Sequence, residues 1–229
     1  EAHPVISARL KKAARKGKLK IIVIDPKRIR MADYAEIYAC QRPGTDVAVM
    51  NGMMHLIIKN GWEDKKFIEE RVEGYEALKE EVAKFTPEYV EKISGVPAAT
   101  LEKIAELFGK AETAALYYAM GITQHTTGVD NVKTTANLQM LCGNMGKVGG
   151  GVNPLRGQSN VQGACDMGGL PNVFPAYQKV GDDAVQEKFE KFWGVKLDNK
   201  IGMPMTVAFD KAYEGQMKAF YIMGENPMI

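Results

Sequence analysis

Five segments of the chain combine glycine or proline with one or two polar side chains. They are Asp25–Arg28, Arg42–Asp46, Met120–His125, Leu155–Gly168 and Gly224–Pro227. Glycine lets a ligand approach the backbone closely, backbone N–H groups bind phosphate oxygens, and an acidic side chain at a strand end accepts hydrogen bonds from a ribose or a guanine. One such segment alone is more often a simple turn. Their repetition predicts a large, polar, phosphate-bearing, nucleotide-like ligand.

Arg156 stands in the longest of these segments, next to a glycine and two residues from Gln158. An arginine stays protonated, and its planar group of donors matches a carboxylate through two parallel hydrogen bonds. A structural ion pair is the alternative role, and the residue types leave both open. Neither GxGxxG nor GxxxxGK[ST] occurs, so an ordinary dinucleotide or P-loop site has no direct support.

The cysteines and histidines predict no metal site within this chain. Cys40, Cys142 and Cys165 are far apart and no CxxC occurs, while the three histidines are equally scattered. An odd number of separated cysteines favours a reducing compartment, and hence the cytoplasm, over a disulfide framework. The net charge of +2 does not favour a nucleic acid or an anionic membrane as partner. The apolar runs are too short to cross a membrane.

The order of predicted strands and helices indicates which fold holds these five segments in place. The strands expected at 18–25, 35–41 and 113–120 alternate with helices, which favours an α/β, Rossmann-like layered domain with a mainly parallel sheet flanked by helices. Ligands in such sheets bind at the carboxyl ends of strands. Residues 142–169 are predicted to form a long functional loop without a regular element. The predicted helices cover 4–16, a segment starting at Thr45 or Asp46, 64–85, 87–95, 98–109 and 131–141.

One segment carries a family resemblance. LRGQSNVQGACDMGGLPN, at residues 155–172, closely resembles the catalytic subunits of formate dehydrogenases in the bis-molybdopterin guanine dinucleotide oxidoreductase superfamily. The stretches IIVIDPKR, RPGTDVAVMNGM, YAMGITQHTTG and YIMGENP resemble the same family in the same order. The resemblance therefore extends over essentially the whole chain, and the Arg156 segment is specific to the formate dehydrogenase branch.

The resemblance implies roles for individual residues. Arg156 would lie beside the metal and orient the formate carboxylate, with Gln158 close by. One guanine dinucleotide half would be bound by Asp25, Lys27, Arg28, Pro43, Gly44 and Asp46. Further contacts to the pterin cofactors would come from Met120, Gly121, Gln124, Gly157, Gln158, Gly224, Glu225 and Asn226.

The resemblance also implies a reaction and an arrangement of domains. Formate would be oxidised to carbon dioxide in anaerobic metabolism, with electrons passing from molybdenum or tungsten to a 4Fe-4S cluster and then to an electron-transfer iron–sulfur subunit or domain. Residues 1–155 would form a Rossmann-like molybdopterin-binding domain. Residues 156–229 would contribute an active-site loop and part of a neighbouring α/β domain.

The chain departs from the family pattern at the metal. The family's metal-ligating cysteine or selenocysteine, and its cysteines for the 4Fe-4S cluster, are not matched by Cys40, Cys142 or Cys165. Both ends also have the character of internal segments. We therefore expect a fragment of the parent enzyme that is inactive by itself.

Two other interpretations remain open at this stage. Another molybdopterin oxidoreductase, such as a nitrate reductase, would share the cofactor loops but act on a different substrate. A noncatalytic nucleotide-binding scaffold domain would explain the missing metal ligands. The Arg156 segment speaks against the nitrate reductase interpretation. A Cys or selenocysteine followed by His upstream of this chain, after a cluster-binding cysteine set, would reject the scaffold interpretation.

Overall fold

A computed structural model describes residues 2–224. It divides the chain into two compact units, residues 1–157 and residues 158–229. Each unit is described by itself below. Across the described residues, no helix is long and apolar enough to cross a membrane.

The first unit begins its sheet structure with two short parallel strands. β1 (Ile22–Ile24) pairs with β2 (Ile37–Ala39), and Val23 lies opposite Tyr38 in the register. The β-branched run at 18–25 predicted this strand, of which only residues 22–24 are regular. The connection runs through a 3₁₀ helix at Arg30–Tyr34.

A second parallel pair completes the strands described in this unit. β3 (Ala115–Tyr118) pairs with β4 (Gly151–Pro154), and Leu116 lies opposite Val152. Because both strand pairs are parallel and joined through helices, the α/β class predicted from the sequence is confirmed.

The helices of the first unit follow mostly local signals. Pro4 occupies the first turn of its helix, where a missing N–H costs nothing. The Thr86 hydroxyl accepts from the N–H of Tyr89 at 3.3 Å, and Gly95, with φ of 75°, ends the same helix as predicted. The helices are α1 (Pro4–Arg15), α2 (Asp46–Lys59), α3 (Lys65–Arg71), α4 (Tyr75–Val82), α5 (Pro87–Ser94), α6 (Ala98–Gly109), α7 (Met120–Thr123) and α8 (Gly128–Leu141).

The core of the first unit is built around α2. Met54 and Ile57 of this helix are fully buried, together with Leu101 of α6 and Leu138 of α8. A Cβ atom at Gly52 would lie 2.7 Å from Cγ2 of Val90, so the glycine permits the close approach of α5. The methionines of α2 are core residues, as the helical spacing predicted.

The sequence prediction was wrong at several helix boundaries. The single helix expected over 64–85 is two helices, because Gly74 takes a left-handed φ of 74° between them. Thr45 does not cap α2 with its side chain, since its hydroxyl donates to the carbonyl of Arg42 at 2.7 Å. A short helix, α7, replaces the first part of the loop expected after β3, and α8 begins at Gly128 rather than Asn131.

The segment expected to contain no regular element holds both a strand and a helix. β4 lies within residues 142–169, where its backbone pairs with β3 and the amide of Asn153 donates to the carbonyl of Gly151 at 2.9 Å. The second element, α9 (Val161–Asp166), is capped by Asn160, whose side chain accepts from the N–H of Gly163 at 3.3 Å. Pairing partners and side-chain caps supply the order that composition did not predict.

The second unit combines α9 with a small antiparallel strand pair and two longer helices. β5 (Val173–Phe174) pairs with β6 (Gln178–Lys179), and the helices are α10 (Asp183–Trp193) and α11 (Met205–Tyr213). A 3₁₀ turn over Pro175–Tyr177 joins the two strands.

Three aromatic side chains pack together in the second unit around the buried Phe189. The ring of Phe189 lies 4.8 Å from that of Phe174 and 4.9 Å from that of Trp193. Offset aromatic pairs at this spacing add to the stabilisation from buried area. Asp182 caps α10 by accepting from two backbone N–H groups.

Candidate functional site

A cleft of about 1980 Å³ opens in the first unit. Two consecutive runs line it, residues 18–26 around β1 and residues 113–119 around β3, and α2 contributes Met50 and Met53. Aliphatic residues of β1 and β3 form part of the lining, and polar residues lie at both ends of the strands, among them Lys18 and Lys20 before β1 and Asp25 after it. Ligand pockets usually occupy about 300–1,000 Å³, so this cleft is larger than one ordinary small-molecule site requires.

At the end of β1, Asp25 folds the chain into a turn. Its carboxylate accepts from the N–H of Lys27 at 2.8 Å, and both Lys27 and Arg28 are exposed. Arg28 forms an ion pair with Asp33 at 3.1 Å and lies over the Tyr38 ring at 5.4 Å. Asp25 lines the cleft, while the Lys27 and Arg28 side chains lie outside its lining.

Tyr38 of β2 is hydrogen-bonded to the residue that follows β1. Its hydroxyl donates to the carbonyl of Asp25 at 3.0 Å. Partial burial, followed by the neighbouring Cys40 thiol, raises the pKa of Tyr38 above its ordinary value. The hydroxyl therefore stays protonated as a donor at neutral pH.

Two buried polar side chains meet where β2 ends. The amide nitrogen of Gln41 donates to Oδ1 of Asp46 at 3.1 Å, and both residues line the cleft. Since a carboxylate only accepts, the amide nitrogen must face Asp46. The amide oxygen of Gln41 is buried and has no hydrogen-bond partner in the described chain. Such an acceptor is costly unless a ligand donates to it.

The turn between these two residues carries Pro43 and Gly44. Pro43 lines the cleft, and Gly44 adopts a φ of 81°, which favours glycine. Asp46 stands in the first turn of α2, where the helix dipole stabilises its charge. This end of β2 therefore concentrates acceptor groups beside the cleft.

The segment after β3 lines the cleft with the backbone of Gly121 and with no carboxylate or ammonium group. Gly121 lines the cleft, and nothing lies within 4 Å of the position that a Cβ would take there. Its carbonyl oxygen is hydrogen-bonded to the His125 ring at 2.9 Å. Met120 and Gln124 are exposed outside the lining and contact each other through the amide and the sulfur at 3.3 Å.

Arg156 follows β4 and is exposed. Its carbonyl oxygen lies 2.6 Å from Nε2 of His3, so the backbone at this point is held against the start of the chain. Neither Arg156 nor Gly157 belongs to the lining of the cleft. Gln158 and Gly224 belong to the second unit. Glu225 and Asn226 lie outside the described residues.

Four of the residues predicted from the sequence thus line one cleft: Asp25, Pro43, Asp46 and Gly121. Sequence reasoning missed Gln41 and His125 as members of the same lining. Gln41 is the last residue of the predicted strand, and a polar residue at that point was the available signal. His125 lay inside a segment already selected for its polar side chains.

The described chain offers no ligand set for a metal ion. Among residues 2–224, no group of three or more His, Cys, Asp or Glu side chains is arranged to hold one. Burial, with Asp64 nearby, raises the pKa of the Cys142 thiol to about 12, so this cysteine is not a thiolate at neutral pH. Cys40 is exposed and Cys165 is half-buried.

The chain belongs to the molybdopterin oxidoreductase family, whose family model matches residues 1–229. It is 49% identical over 229 residues to "F420-dependent formate dehydrogenase 1 subunit alpha" of Methanococcus maripaludis, covering 100% of this chain and 33% of that protein. It is 43% identical over 229 residues to "Formate dehydrogenase H" of Escherichia coli, covering 100% of this chain and 32% of that protein. The chain therefore spans about a third of the length of these relatives.

A solved structure shares the fold. The acetylene hydratase from Pelobacter acetylenicus matches with a TM-score of 0.57 and 32% sequence identity, over 59% of this chain and 19% of that chain. Family membership implies a molybdopterin cofactor.

The residues of the cleft fit a nucleotide-bearing cofactor. The unpartnered oxygen of Gln41 and the carboxylate of Asp46 offer acceptors to the N–H groups of a base. The open space at Gly121 allows a ligand to approach the backbone closely. Acceptors for a base therefore lie at one strand end, and a surface for a bulky polar group lies at another.

Proposed function

We propose that this chain is part of a formate dehydrogenase whose parent polypeptide oxidises formate to carbon dioxide at a bis-molybdopterin guanine dinucleotide centre containing molybdenum or tungsten. Three relatives named as formate dehydrogenases are 43–50% identical to it over the full 229 residues, and they support this assignment.

The sequence around Arg156 is the observation that favours formate oxidation over the other reactions of the family. Cofactor loops alone do not select one, because the structural relative that shares the fold is named a hydratase. Arg156 places a permanent positive charge in a segment that resembles only the formate dehydrogenase branch. A substrate with a small carboxylate matches the two-donor geometry of its guanidinium group.

Arg156 acts on formate by orientation. Its guanidinium binds the two formate oxygens and holds the C–H bond in one direction, which removes the entropy cost of alignment at the moment of reaction. Formate then loses a proton and two electrons and becomes carbon dioxide. When bound, the cofactor supplies the metal centre that accepts these electrons. Gln158, two residues further on, provides an amide beside the same substrate.

The cleft residues hold the nucleotide part of the cofactor. The carboxylate of Asp46, held by Gln41, accepts from N–H groups of a guanine, which offers an exocyclic amino donor. The turn at Asp25 and the backbone of Gly121 bind further polar groups. The remaining cofactor contacts come from Lys27, Arg28, Pro43, Gly44, Met120, Gln124, Gly157, Gly224, Glu225 and Asn226.

The parent enzyme has partners beyond this chain. Electrons leave through a 4Fe-4S cluster held by other residues and pass to an electron-transfer iron–sulfur subunit or domain in the cytoplasm. Residues 1–155 serve as the molybdopterin-binding domain, and residues 156–229 as the active-site loop with part of a neighbouring α/β domain.

Anaerobic purification of the full-length protein tests this function directly. We expect molybdenum or tungsten, pterin and formate-dependent reduction of an artificial dye in the same preparation. Metal and pterin without formate-dependent reduction would reject formate, and activity with nitrate would then support the nitrate reductase alternative. A protein that binds neither metal nor pterin would support a noncatalytic scaffold.

A further inference from the structure

Arg156 follows the point where the pairing of β4 with β3 ends. The ladder extends to Pro154, and the N–H of Leu155 then donates to the carbonyl of Tyr118 at 2.7 Å. Residues 156–160 belong to no helix or strand before α9 begins. The position of a group that orients a small substrate must be accurate, because a misplacement of about 1 Å costs roughly 100-fold in rate.

A contact from the start of the chain holds the backbone of Arg156. Nε2 of His3 lies 2.6 Å from the carbonyl oxygen of Arg156, although the two residues are 153 positions apart in the chain. A carbonyl oxygen only accepts, so Nε2 carries the hydrogen and donates it. His3 and Leu155 both line the cleft, so this hydrogen bond lies at its border.

The helix α1 fixes the position of His3. His3 is the N-cap residue of this helix, and its carbonyl accepts from the N–H of Ser7 at 3.0 Å. Pro4 follows directly and restricts the backbone of the residue before it. At the other end of α1, Arg15 donates to the hydroxyl of Tyr34 at 2.8 Å. The imidazole donor is therefore carried by a helix that is held at both ends.

The hydrogen bond restrains the peptide group that joins Arg156 to Gly157. Gly157 has no Cβ, and no atom lies within 4 Å of the position that a Cβ would take, so the following residue does little to restrict this peptide group. Fixing the carbonyl of Arg156 limits rotation about its Cα–C bond. It thereby limits the direction in which the arginine side chain leaves the backbone.

We propose that His3 is a positioning residue for Arg156, whose carbonyl it holds so that the guanidinium meets the substrate from one direction. His3 acts through Arg156 rather than by contact with the substrate. The kinetic part of this inference rests on the proposed function, since formate is the substrate that Arg156 orients. The structural part, a restrained carbonyl at Arg156, does not depend on the substrate.

Two amide substitutions separate this hydrogen bond from the start of α1. The side-chain nitrogen of glutamine reaches the position of Nε2, so His3→Gln keeps a donor for the Arg156 carbonyl. Asparagine is one methylene shorter and does not reach it, although asparagine is a favourable N-cap residue. His3→Asn therefore removes the hydrogen bond without weakening the start of the helix.

Trypsin cleavage of the full-length protein measures the restraint without any substrate. Trypsin cleaves after arginine, and the carbonyl that it attacks at Arg156 is the one that His3 binds. We expect cleavage between Arg156 and Gly157 to be about 2- to 10-fold faster in His3→Asn than in the unmodified protein, and unchanged in His3→Gln. Cleavage after Lys16, an exposed residue at the other end of α1, is the control and should be equal in all three proteins.

Formate kinetics measure the consequence for the reaction. A loosened arginine keeps its charge but aligns the C–H bond of formate less well. We therefore expect kcat to fall about 2- to 10-fold in His3→Asn while KM changes less than about twofold. His3→Gln should restore kcat, and the metal and pterin contents should be equal in all three proteins.

The other outcomes overturn the inference. Equal cleavage after Arg156 in all three proteins, faster cleavage in both variants, or a parallel rise after Lys16 would show that the His3 bond does not restrain Arg156. Faster cleavage in His3→Asn with unchanged kcat would reject the positioning role. An unmodified protein that does not turn over formate would overturn the proposed function and the kinetic role of His3 together, while the cleavage rates still decide whether His3 restrains Arg156.

Discussion

The amide of Gln41 donates to the carboxylate of Asp46 across 3.1 Å, and both side chains are buried at the carboxyl end of β2. This bond fixes the orientation of the carboxylate. It also turns the amide oxygen of Gln41 toward a position where the described chain supplies no donor. We therefore expect the pair to accept hydrogen bonds from the cofactor, which is the role proposed for Asp46.

Replacing Asp46 tests its role in cofactor binding. Asp46→Asn keeps the shape but removes the charge that strengthens hydrogen bonds from a guanine, which are worth about 1.5–3 kcal/mol. We expect the affinity of the full-length protein for the guanine dinucleotide part to fall about 10- to 100-fold. Isothermal titration of cofactor-free protein with guanosine diphosphate measures this change.

The matched control is Asp130→Asn. Asp130 also stands in the first turn of a helix, α8, but it is exposed and does not line the cleft. Both substitutions weaken an interaction with a helix dipole, and only Asp46→Asn removes a carboxylate from the cleft. Equal affinity in the two variants would remove Asp46 from the binding site.

Cysteine reactivity should follow burial. Burial raises the pKa of Cys142 to about 12, so almost no thiolate is present at pH 8, whereas the Cys40 thiol is exposed. Because the thiolate is the nucleophile, iodoacetamide should modify Cys40 in the folded protein and leave Cys142 unmodified. Mass spectrometry of digested protein measures both sites. Rapid modification of Cys142 in folded protein would contradict the buried core position.

The stability of the second unit should depend on Glu190. Its carboxylate accepts from the N–H of Leu197 and pairs with Lys196, and these interactions lower its pKa from 4.5 to about 2. Because the pKa of Glu190 is lower in the folded than in the unfolded protein, its ionised carboxylate stabilises the fold above pH 4.5. This stabilisation is lost as the pH falls from 4.5 toward 2. Glu190→Gln should therefore lower the urea midpoint at pH 7, and the difference should narrow below pH 4.5.

Glu187→Gln provides the comparison for Glu190. Glu187 is an exposed residue of the same helix, α10. An exposed charge contributes little, so its replacement should leave the urea midpoint nearly unchanged. If both variants unfold at the same urea concentration at pH 7, the Glu190 interactions do not stabilise the unit.

The sequence predicted those parts of the fold that depend on neighbouring residues. The ends of α5 are an example. Thr86 caps its start, Pro87 occupies its first turn and Gly95 ends it in a left-handed conformation, and all three signals are local. β4 was missed because Gly-Val-Asn-Pro has no strand pattern. Its order comes from pairing with β3, more than thirty residues earlier in the chain.

The sequence predicted some residues of the candidate site and missed others. Asp25 and Gly121 were selected because polar or glycine residues follow predicted strands, and the fold brings both to one cleft. Gln41 was missed because its importance depends on the burial of its side chain against Asp46. The role of Arg156 came from family resemblance and stays a prediction.

Formate turnover of an Arg156→Lys variant of the full-length protein tests the central claim most directly. Lysine keeps the positive charge but loses the two-donor geometry, so we expect kcat/KM for formate to fall about 10- to 100-fold while metal and pterin contents stay equal to the unmodified protein. Arg9→Lys, an exposed substitution on α1, is the control and should leave turnover unchanged. Formate turnover in Arg156→Lys equal to that of the control would contradict the account.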